Sequence, residues 1–133
     1  GEIIKLARPE TQIVVAEPEN AALLSGKEWS PHKIQGWTPD FIPRVLKKEV
    51  ADKFVPVSDD ESIEAAKKLA KEEGIFTGIS GGATLAACFK TAEVAPDNST
   101  FCVMLPDTGE RYLSSPLFEN ITEDSDEDWL SSA

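Results

Sequence analysis

Apolar and polar positions in the first half of the chain follow three successive patterns. Residues 2–8 place aliphatic side chains between charged ones, which predicts the last turns of a helix ended by Pro9. Thr11–Glu17 is β-branched and almost continuously apolar, as expected of a central parallel strand buried on both faces. Residues 20–43 are rich in Gly, Pro, Ser and Trp without a steady period, which predicts a long loop of the kind that carries function.

The second half alternates strand-like and helix-like segments. Ser58 and Glu61 have the spacing of a capping box, and Gly74 follows the last helical position of that segment. The predicted elements are a strand at 54–57, a helix from 59 to about 73, a helix from 80 to about 92, a turn at 97–98 and a second buried strand at 100–105. This alternation predicts an α/β sheet with helices on its faces.

The start of the second predicted helix is the strongest candidate for chemistry. Ser80 is followed by Gly81, Gly82 and a run of small residues. The hydroxyl stands beside helix-start amides, a combination that suits a polar ligand, although the same glycines also suit tight packing of a helix on a sheet. Because ligands bind beyond the carboxyl ends of parallel strands, we expect this loop and residues 107–109 to open toward the same side.

Charge and length narrow the class of protein. A chain of 133 residues is long enough for one core, and its net charge of −11 argues against nucleic acid and anionic membranes as partners. Acidic side chains crowd into residues 119–133, so we predict one domain at 1–118 followed by an acidic tail. With no apolar run near the membrane-spanning length and no signal peptide, a cytoplasmic protein is expected.

Other reactive residue types favour structural roles. His32 is the only histidine and has no nucleophile at a recognisable spacing, so packing or hydrogen bonding is favoured over general-base chemistry. Cys88 and Cys102 lack metal-ligand or redox spacing and are interpreted as reduced core thiols. Trp29 and Trp37 flank a loop glycine, and we favour hydrophobic anchors over a ligand-facing lid. No metal site is predicted, and no lysine has the sheltered apolar setting of a Schiff-base lysine.

Several segments of the chain, taken together, carry a family resemblance. They are Pro-His-Lys-Ile-Gln-Gly at 31–36, Phe-Ile-Pro at 41–43, Val-Ser-Asp at 57–59, Gly-Ile-Phe-Thr-Gly-Ile-Ser-Gly-Gly-Ala at 74–83 and Leu-Pro-Asp-Thr-Gly-Glu-Arg-Tyr-Leu-Ser at 105–114. In this order they resemble the carboxyl-terminal part of cysteine synthase, the O-acetylserine sulfhydrylase of the fold-type II pyridoxal phosphate enzymes. Cystathionine β-synthase and O-phosphoserine sulfhydrylase share much of the pattern, and the last run favours the cysteine synthase branch.

The resemblance implies a fold and a cofactor. The fold is a parallel-sheet three-layer sandwich of the tryptophan synthase β type, present here as part of the large domain, and the cofactor is pyridoxal 5′-phosphate. Ser80 would hydrogen-bond the pyridine nitrogen, with Pro106 and Asp107 beside the ring, and Gly36 with Trp37 would belong to a substrate loop. In the family, O-acetylserine loses acetate and sulfide takes its place, which gives L-cysteine. A neutral hydroxyl partner at the pyridine nitrogen favours this elimination over transamination.

The chain also departs from the family pattern. Residues 37–40 read Trp-Thr-Pro-Asp where the family commonly has Ile-Gly-Ala-Gly, which predicts a bulkier and stiffer loop. The family's Schiff-base lysine, its Ser-Gly-Asn-Thr-Gly substrate loop and its phosphate loop precede the matching region. We therefore expect no catalytic residue in this chain, inactivity alone, and a complementary amino-terminal segment as partner within a homodimer. The alternatives are a noncatalytic fragment that binds that segment or the serine acetyltransferase tail, and a cystathionine β-synthase-like enzyme.

Overall fold

The computed structural model describes residues 1–119, and its regular elements follow the predicted alternation. The elements are α1 (Glu2–Ala7), β1 (Val14–Pro18), β2 (Lys53–Val57), α2 (Asp59–Glu73) and α3 (Ile79–Ala92), with short 3-10 turns at 19–21, 23–25, 48–50 and 109–112. The predicted helix at the start of the chain, both later helices, the strand at 54–57 and the turn at 97–98 are therefore confirmed. The predicted acidic tail, apart from Glu119, lies outside the described residues.

The two strands form a parallel pair in which Val14 lies opposite Lys53 and Pro18 opposite Val57. The central position predicted for β1 is wrong within the described residues, because β1 has a hydrogen-bonded neighbour on one side only. The strand is also only partly buried, since its last two residues, Glu17 and Pro18, are the ones that are fully buried. The Glu17 carboxylate accepts hydrogen bonds from Leu24 N at 2.7 Å and from a serine hydroxyl in the next turn, which secures the beginning of the long loop.

The predicted second strand at 100–105 is absent from the described structure, and its residues belong to no regular element. Phe101 and Met104 are exposed, and Cys102 is exposed as well, so the interpretation of that thiol as a core residue is wrong. The segment is tied to α3 where Thr84 Oγ1 donates to the Met104 carbonyl at 2.7 Å. A strand requires a hydrogen-bonded neighbour, and residues 1–119 supply none to this segment.

The beginning of α2 carries the predicted capping box. The Glu61 amide donates to Ser58 Oγ at 3.2 Å, and the Ser58 amide donates to Glu61 Oε2 at 2.8 Å. The helix ends at Gly74, whose φ of 68° is left-handed. Lys90 of α3 pairs with Glu61 at 2.7 Å, and this hydrogen bond holds the pKa of the Glu61 carboxyl below its usual range. The cap of one helix is thereby linked to its neighbour.

Helix α3 packs against α2 and against both strands, and small residues make this approach possible. A Cβ on Gly82 would overlap the Ser62 carbonyl oxygen and the Ala66 side chain of α2, and one on Gly81 would overlap Thr77. The tight-packing interpretation of the two glycines is therefore confirmed, and it does not exclude a ligand beside them. The core joins both strands, both long helices and the chain after residue 111; its buried members are Ile34, Val55, Val57, Ala66, Ile79, Ala83, Ala86, Ala87, Tyr112 and Leu117.

No helix in the described part of the chain is long and apolar enough to span a membrane.

Candidate functional site

Ser80 occupies the second position of α3, because the helix begins one residue earlier than predicted, and Ser80 is only 4% exposed. The N-cap residue is Gly78, which offers no side-chain acceptor to the first amides of the helix. The nearby hydroxyls of Thr77 and Thr84 are hydrogen-bonded to backbone carbonyls, whereas Ser80 Oγ takes part in no hydrogen bond among residues 1–119. Ser80 is therefore a buried residue with an unengaged hydroxyl, and this hydroxyl is available to a ligand.

The loop before α3 is joined directly to the loop that contains Asp107. Thr77 and Thr108 form an isolated antiparallel bridge, and the Gly109 amide donates to the Phe76 carbonyl at 3.2 Å. Thr77 Oγ1 also donates to the Asp107 carbonyl at 3.1 Å. These contacts confirm the expectation that the two glycine-bearing loops lie on the same side.

The Asp107 carboxylate is held against the start of α3. Its Oδ2 accepts a hydrogen bond from the Tyr112 hydroxyl at 2.5 Å, and this bond, reinforced by burial, raises the pKa of Tyr112. Its Oδ1 is buried and has no hydrogen-bond partner among the described residues. A Cβ on Gly78 would overlap both Asp107 Oδ1 and the Tyr112 ring, so the glycine permits the close approach. The site thus contains an unsatisfied carboxylate oxygen at the start of α3.

Tyr112 and Gly78 are site residues that the sequence interpretation missed. Tyr112 is the only tyrosine of the chain and lies five positions after Asp107, in the one short 3-10 turn that follows the loop. Its uniqueness was a usable signal, but no sequence pattern indicates that a single helical turn directs its hydroxyl back to Asp107.

The structure places the predicted substrate-loop residues on a separate segment. Gly36 is exposed with a left-handed φ of 80°, and the half-buried Trp37 packs against the core cluster that contains Ile79 and Tyr112. No hydrogen bond among the described residues joins this segment to Ser80 or to Asp107. The structure therefore brings the predicted cofactor residues together, and Pro106 is exposed beside Asp107. The substrate-loop residues are connected to them only through contacts of Trp37 with the core cluster.

The remaining candidates have structural surroundings. Trp37 packs on the core as the predicted hydrophobic anchor. Trp29 is exposed and is held by a hydrogen bond from Nε1 to the Thr38 carbonyl at 3.0 Å, so its prediction as a hydrophobic anchor is wrong. His32 is half-buried and its Nδ1 has no partner among the described residues, which favours packing over hydrogen bonding at that atom. Burial raises the pKa of the Cys88 thiol, as expected of an inert thiol.

Two shallow surface depressions lie away from these residues. They run along α2 and between α2 and α3, and their linings are dominated by lysine and glutamate side chains such as Lys68 and Glu64. Charged, open faces of this kind are solvated helix surfaces. The unsatisfied Ser80 and Asp107 atoms, and not these depressions, define the candidate site.

An α/β fold with a small-residue helix start and an unengaged serine is compatible with a ligand site, and comparison with known proteins defines the class of protein. The family model described as pyridoxal-phosphate dependent enzyme matches residues 1–107. The chain belongs to this family, whose members use pyridoxal phosphate.

Two curated relatives are similar along most of the chain. O-ureido-L-serine synthase of Streptomyces lavendulae is 49% identical over 132 residues, which is 99% of this chain and 41% of that protein. Cysteine synthase of Staphylococcus aureus is 42% identical over 118 residues, which is 89% of this chain and 38% of that protein. The resemblance to cysteine synthases is therefore confirmed.

Solved structures show the same fold. A variant of O-ureido-L-serine synthase with O-ureido-L-serine bound superposes with a TM-score of 0.93 at 49% identity, over 98% of this chain and 41% of that one. Cysteine synthase of Entamoeba histolytica superposes with a TM-score of 0.85 at 37% identity, over 98% of this chain and 39% of that one. The fold is that of the fold-type II pyridoxal phosphate enzymes, and the chain spans about two fifths of the length of these relatives.

The described residues fit one side of a pyridoxal phosphate site. Ser80 is a buried residue with an unengaged, neutral hydroxyl, which suits a hydrogen bond to an unprotonated pyridine nitrogen. Asp107 is oriented by Tyr112 beside the same helix start and keeps one oxygen free.

Proposed function

We propose that this chain is part of a pyridoxal phosphate-dependent β-replacement synthase and that Ser80 is its partner for the pyridine nitrogen. The observation that carries the proposal is Ser80, a buried residue at a helix start in a member of this family, whose hydroxyl has no hydrogen bond among residues 1–119. The proposed reaction is formation of L-cysteine from O-acetylserine and sulfide, supported by the similarity to cysteine synthases.

The residues of the chain have distinct roles in this proposal. When bound, pyridoxal phosphate withdraws electrons from the substrate Cα, which allows a leaving group on Cβ to depart. Ser80 would donate a hydrogen bond to the pyridine nitrogen and keep its proton, so that nitrogen would stay uncharged. Pro106 and Asp107 lie beside the ring, and the Tyr112 hydroxyl fixes the Asp107 carboxylate. Gly36 and Trp37 would contact the substrate from the loop in which Trp37 packs against the core cluster.

The proposal includes partners that complete the site. A complementary amino-terminal segment would supply the Schiff-base lysine and the phosphate loop, in a homodimeric enzyme of the cytoplasm that binds the serine acetyltransferase tail. The amino-terminal segment is supported by the share of the relatives' length that the chain covers. The chain is matched over 99% and 89% of its own length but accounts for only 41% and 38% of the two relatives. We propose that without this segment the chain is inactive.

A second candidate reaction is favoured by the higher identity to O-ureido-L-serine synthase, 49% against 42% for cysteine synthase. O-ureido-L-serine carries an NH–CO–NH2 group on the serine oxygen. To form it from an O-acylated serine, the oxygen of N-hydroxyurea must bond to Cβ while the acyl group leaves as a carboxylate and the hydroxyl proton is lost. The two candidate reactions thus share donor and cofactor and differ only in the nucleophile.

The test compares nucleophiles with the full-length protein, by which we mean this chain together with the proposed amino-terminal segment, loaded with pyridoxal phosphate. O-acetyl-L-serine is supplied with sulfide, N-hydroxyurea or homocysteine, and the amino-acid products are identified by mass spectrometry. A kcat/KM at least about tenfold higher for sulfide supports L-cysteine synthesis. The reverse preference for N-hydroxyurea supports the second candidate, and preference for homocysteine a cystathionine β-synthase-like enzyme. A protein that forms no product with any of them, but binds the serine acetyltransferase tail, is the noncatalytic alternative.

A further inference from the structure

The segment between Trp29 and Asp40 is closed by a hydrogen bond across the loop. The Trp29 indole N–H donates to the Thr38 carbonyl at 3.0 Å, which links two positions nine residues apart. Trp29 itself is 42% exposed, so the ring is not required to fill the core. Its defined contact is therefore directional, from one ring nitrogen to one backbone oxygen.

The loop that this hydrogen bond closes contains two residues with a left-handed backbone conformation. Gly36 has a φ of 80° and Thr38 a φ of 40°. The left-handed region is easily reached by glycine, but a β-branched threonine enters it only when its surroundings impose that conformation. The Trp29 hydrogen bond acts on Thr38 directly, and it is the side-chain contact that would impose this conformation.

The opposite end of the loop is held as firmly. The Lys33 amide donates to Asp59 Oδ1 at 2.9 Å at the beginning of α2, Ile34 is fully buried, and Trp37 packs against the cluster that contains Ile79 and Tyr112. Ile79 precedes Ser80, so the same cluster supports both the loop and the candidate cofactor residue. The chain from 33 to 38 is thus fixed at both ends by groups that lie outside it.

From these contacts we infer that the Gly36–Asp40 loop is preformed and that Trp29 is a positioning residue that determines which nucleophile the enzyme accepts. The inference rests on the proposed function, in which Gly36 and Trp37 face the substrate. A loop set in one shape by the Trp29–Thr38 hydrogen bond offers a fixed space to the second substrate, so it distinguishes compact sulfide from the larger, planar N-hydroxyurea. Trp29 does so without touching either nucleophile.

Two variants of the full-length protein test this role. Trp29→Phe removes the indole donor and retains an aromatic ring, and Thr38→Gly removes the conformational restriction and retains the carbonyl acceptor. The matched control is Glu28→Gln, an exposed neighbour of Trp29. Exchange of the Trp37 amide, which donates to the Ile34 carbonyl at 3.3 Å, should be at least about fivefold faster in both variants and unchanged in the control.

The kinetic measurement is the ratio of kcat/KM for sulfide to that for N-hydroxyurea, with O-acetyl-L-serine as donor. We expect Trp29→Phe to move this ratio at least about fivefold toward unity through KM of the nucleophile, with kcat within about twofold and the cofactor absorbance unchanged. Faster exchange with an unchanged ratio overturns the inference and leaves the proposed function intact. Unchanged exchange in Trp29→Phe also overturns it. Absence of turnover with every nucleophile in the parent enzyme refutes the proposed function and this inference together.

Discussion

The side chains of Ser80 and Asp107 lie beside the same helix start, but their polar atoms are satisfied to different degrees. Ser80 Oγ has no partner among the described residues, whereas Asp107 has one oxygen bound by Tyr112 and one free. Removing the Ser80 hydroxyl should affect ligand chemistry, and removing the Asp107 carboxylate should also affect local structure. The two residues therefore call for different measurements.

Ser80→Ala is expected to separate function from stability in the full-length protein. The unfolding free energy should change by less than about 1 kcal/mol, because no hydrogen bond within residues 1–119 is lost. Loss of the proposed pyridine hydrogen bond should lower kcat/KM by about 10- to 100-fold and change the absorbance of the bound cofactor. The control is Ser99→Ala, an exposed serine whose hydroxyl contacts only the Pro96 carbonyl, at 2.7 Å. Parent-like activity and absorbance in Ser80→Ala would refute the assigned role.

The Tyr112–Asp107 hydrogen bond predicts a pH dependence of stability. This hydrogen bond raises the pKa of Tyr112 above its ordinary value of 10.0. Because the folded-state pKa is raised, the stabilisation is fully present below pH 10.0 and is lost as the pH rises through the folded-state value. Alkaline difference titration of tyrosinate absorbance between the parent protein and Tyr112→Phe should show this late ionisation. Asp107→Asn should move the ionisation of Tyr112 to a lower pH. If Tyr112 ionises with its ordinary pKa in the parent protein, the interpretation is contradicted.

At the scale of elements, the capping box is the most local determinant of α2. Ser58→Ala removes the acceptor of the Glu61 amide and should lower the unfolding free energy by about 1 kcal/mol. Chemical denaturation of the full-length protein measures this change. Ser114→Ala, at an exposed position, should leave the denaturation midpoint unchanged. Equal midpoints for Ser58→Ala and the parent would mean that the cap does not contribute to stability.

The α2–α3 contact predicts an asymmetry between two adjacent glycines. Gly82→Ala would place its methyl group against the Ser62 carbonyl, a backbone atom, whereas Gly81→Ala would meet the Thr77 side chain. Overpacking of this kind costs about 1–3 kcal/mol. Adding Thr77→Ala should recover part of the loss in Gly81→Ala and none of the loss in Gly82→Ala, as measured by denaturation midpoints. Equal recovery in both would show that Thr77 is not the obstructing group.

The elements differ in how well they can be predicted from the sequence. The helices were predictable because the Ser58–Glu61 cap and the apolar spacing of α2 act within a few residues of each other. The convergence of the Thr77 and Asp107 loops followed from a general rule of parallel sheets. The exposed, unpaired 100–105 segment was not predictable, because pairing depends on which neighbours are present. The Tyr112–Asp107 and Trp29–Thr38 hydrogen bonds depend on backbone paths that carry no periodic signal.

At the scale of the whole molecule, the described surface includes apolar side chains that a self-contained domain would cover. Ile3, Leu6 and Met104 are 76%, 80% and 73% exposed. Within residues 1–119 the two-stranded sheet has free edges, and the 100–105 segment is unpaired next to α3. Free sheet edges and exposed apolar side chains favour association with further chain. This pattern supports the proposal that a complementary segment completes the fold.

The last prediction concerns the 133-residue chain produced alone. We expect a broad, noncooperative thermal transition and strong binding of a hydrophobic dye, because too little apolar surface is buried to offset chain entropy. We also expect no visible absorbance band of lysine-bound pyridoxal phosphate when the cofactor is added, since the reactive lysine is proposed to lie in the partner segment. The full-length protein serves as the control and should show a sharp transition and the band. A sharp unfolding transition of the chain as a monomer would contradict the need for a partner, and a visible band would place the reactive lysine within these residues.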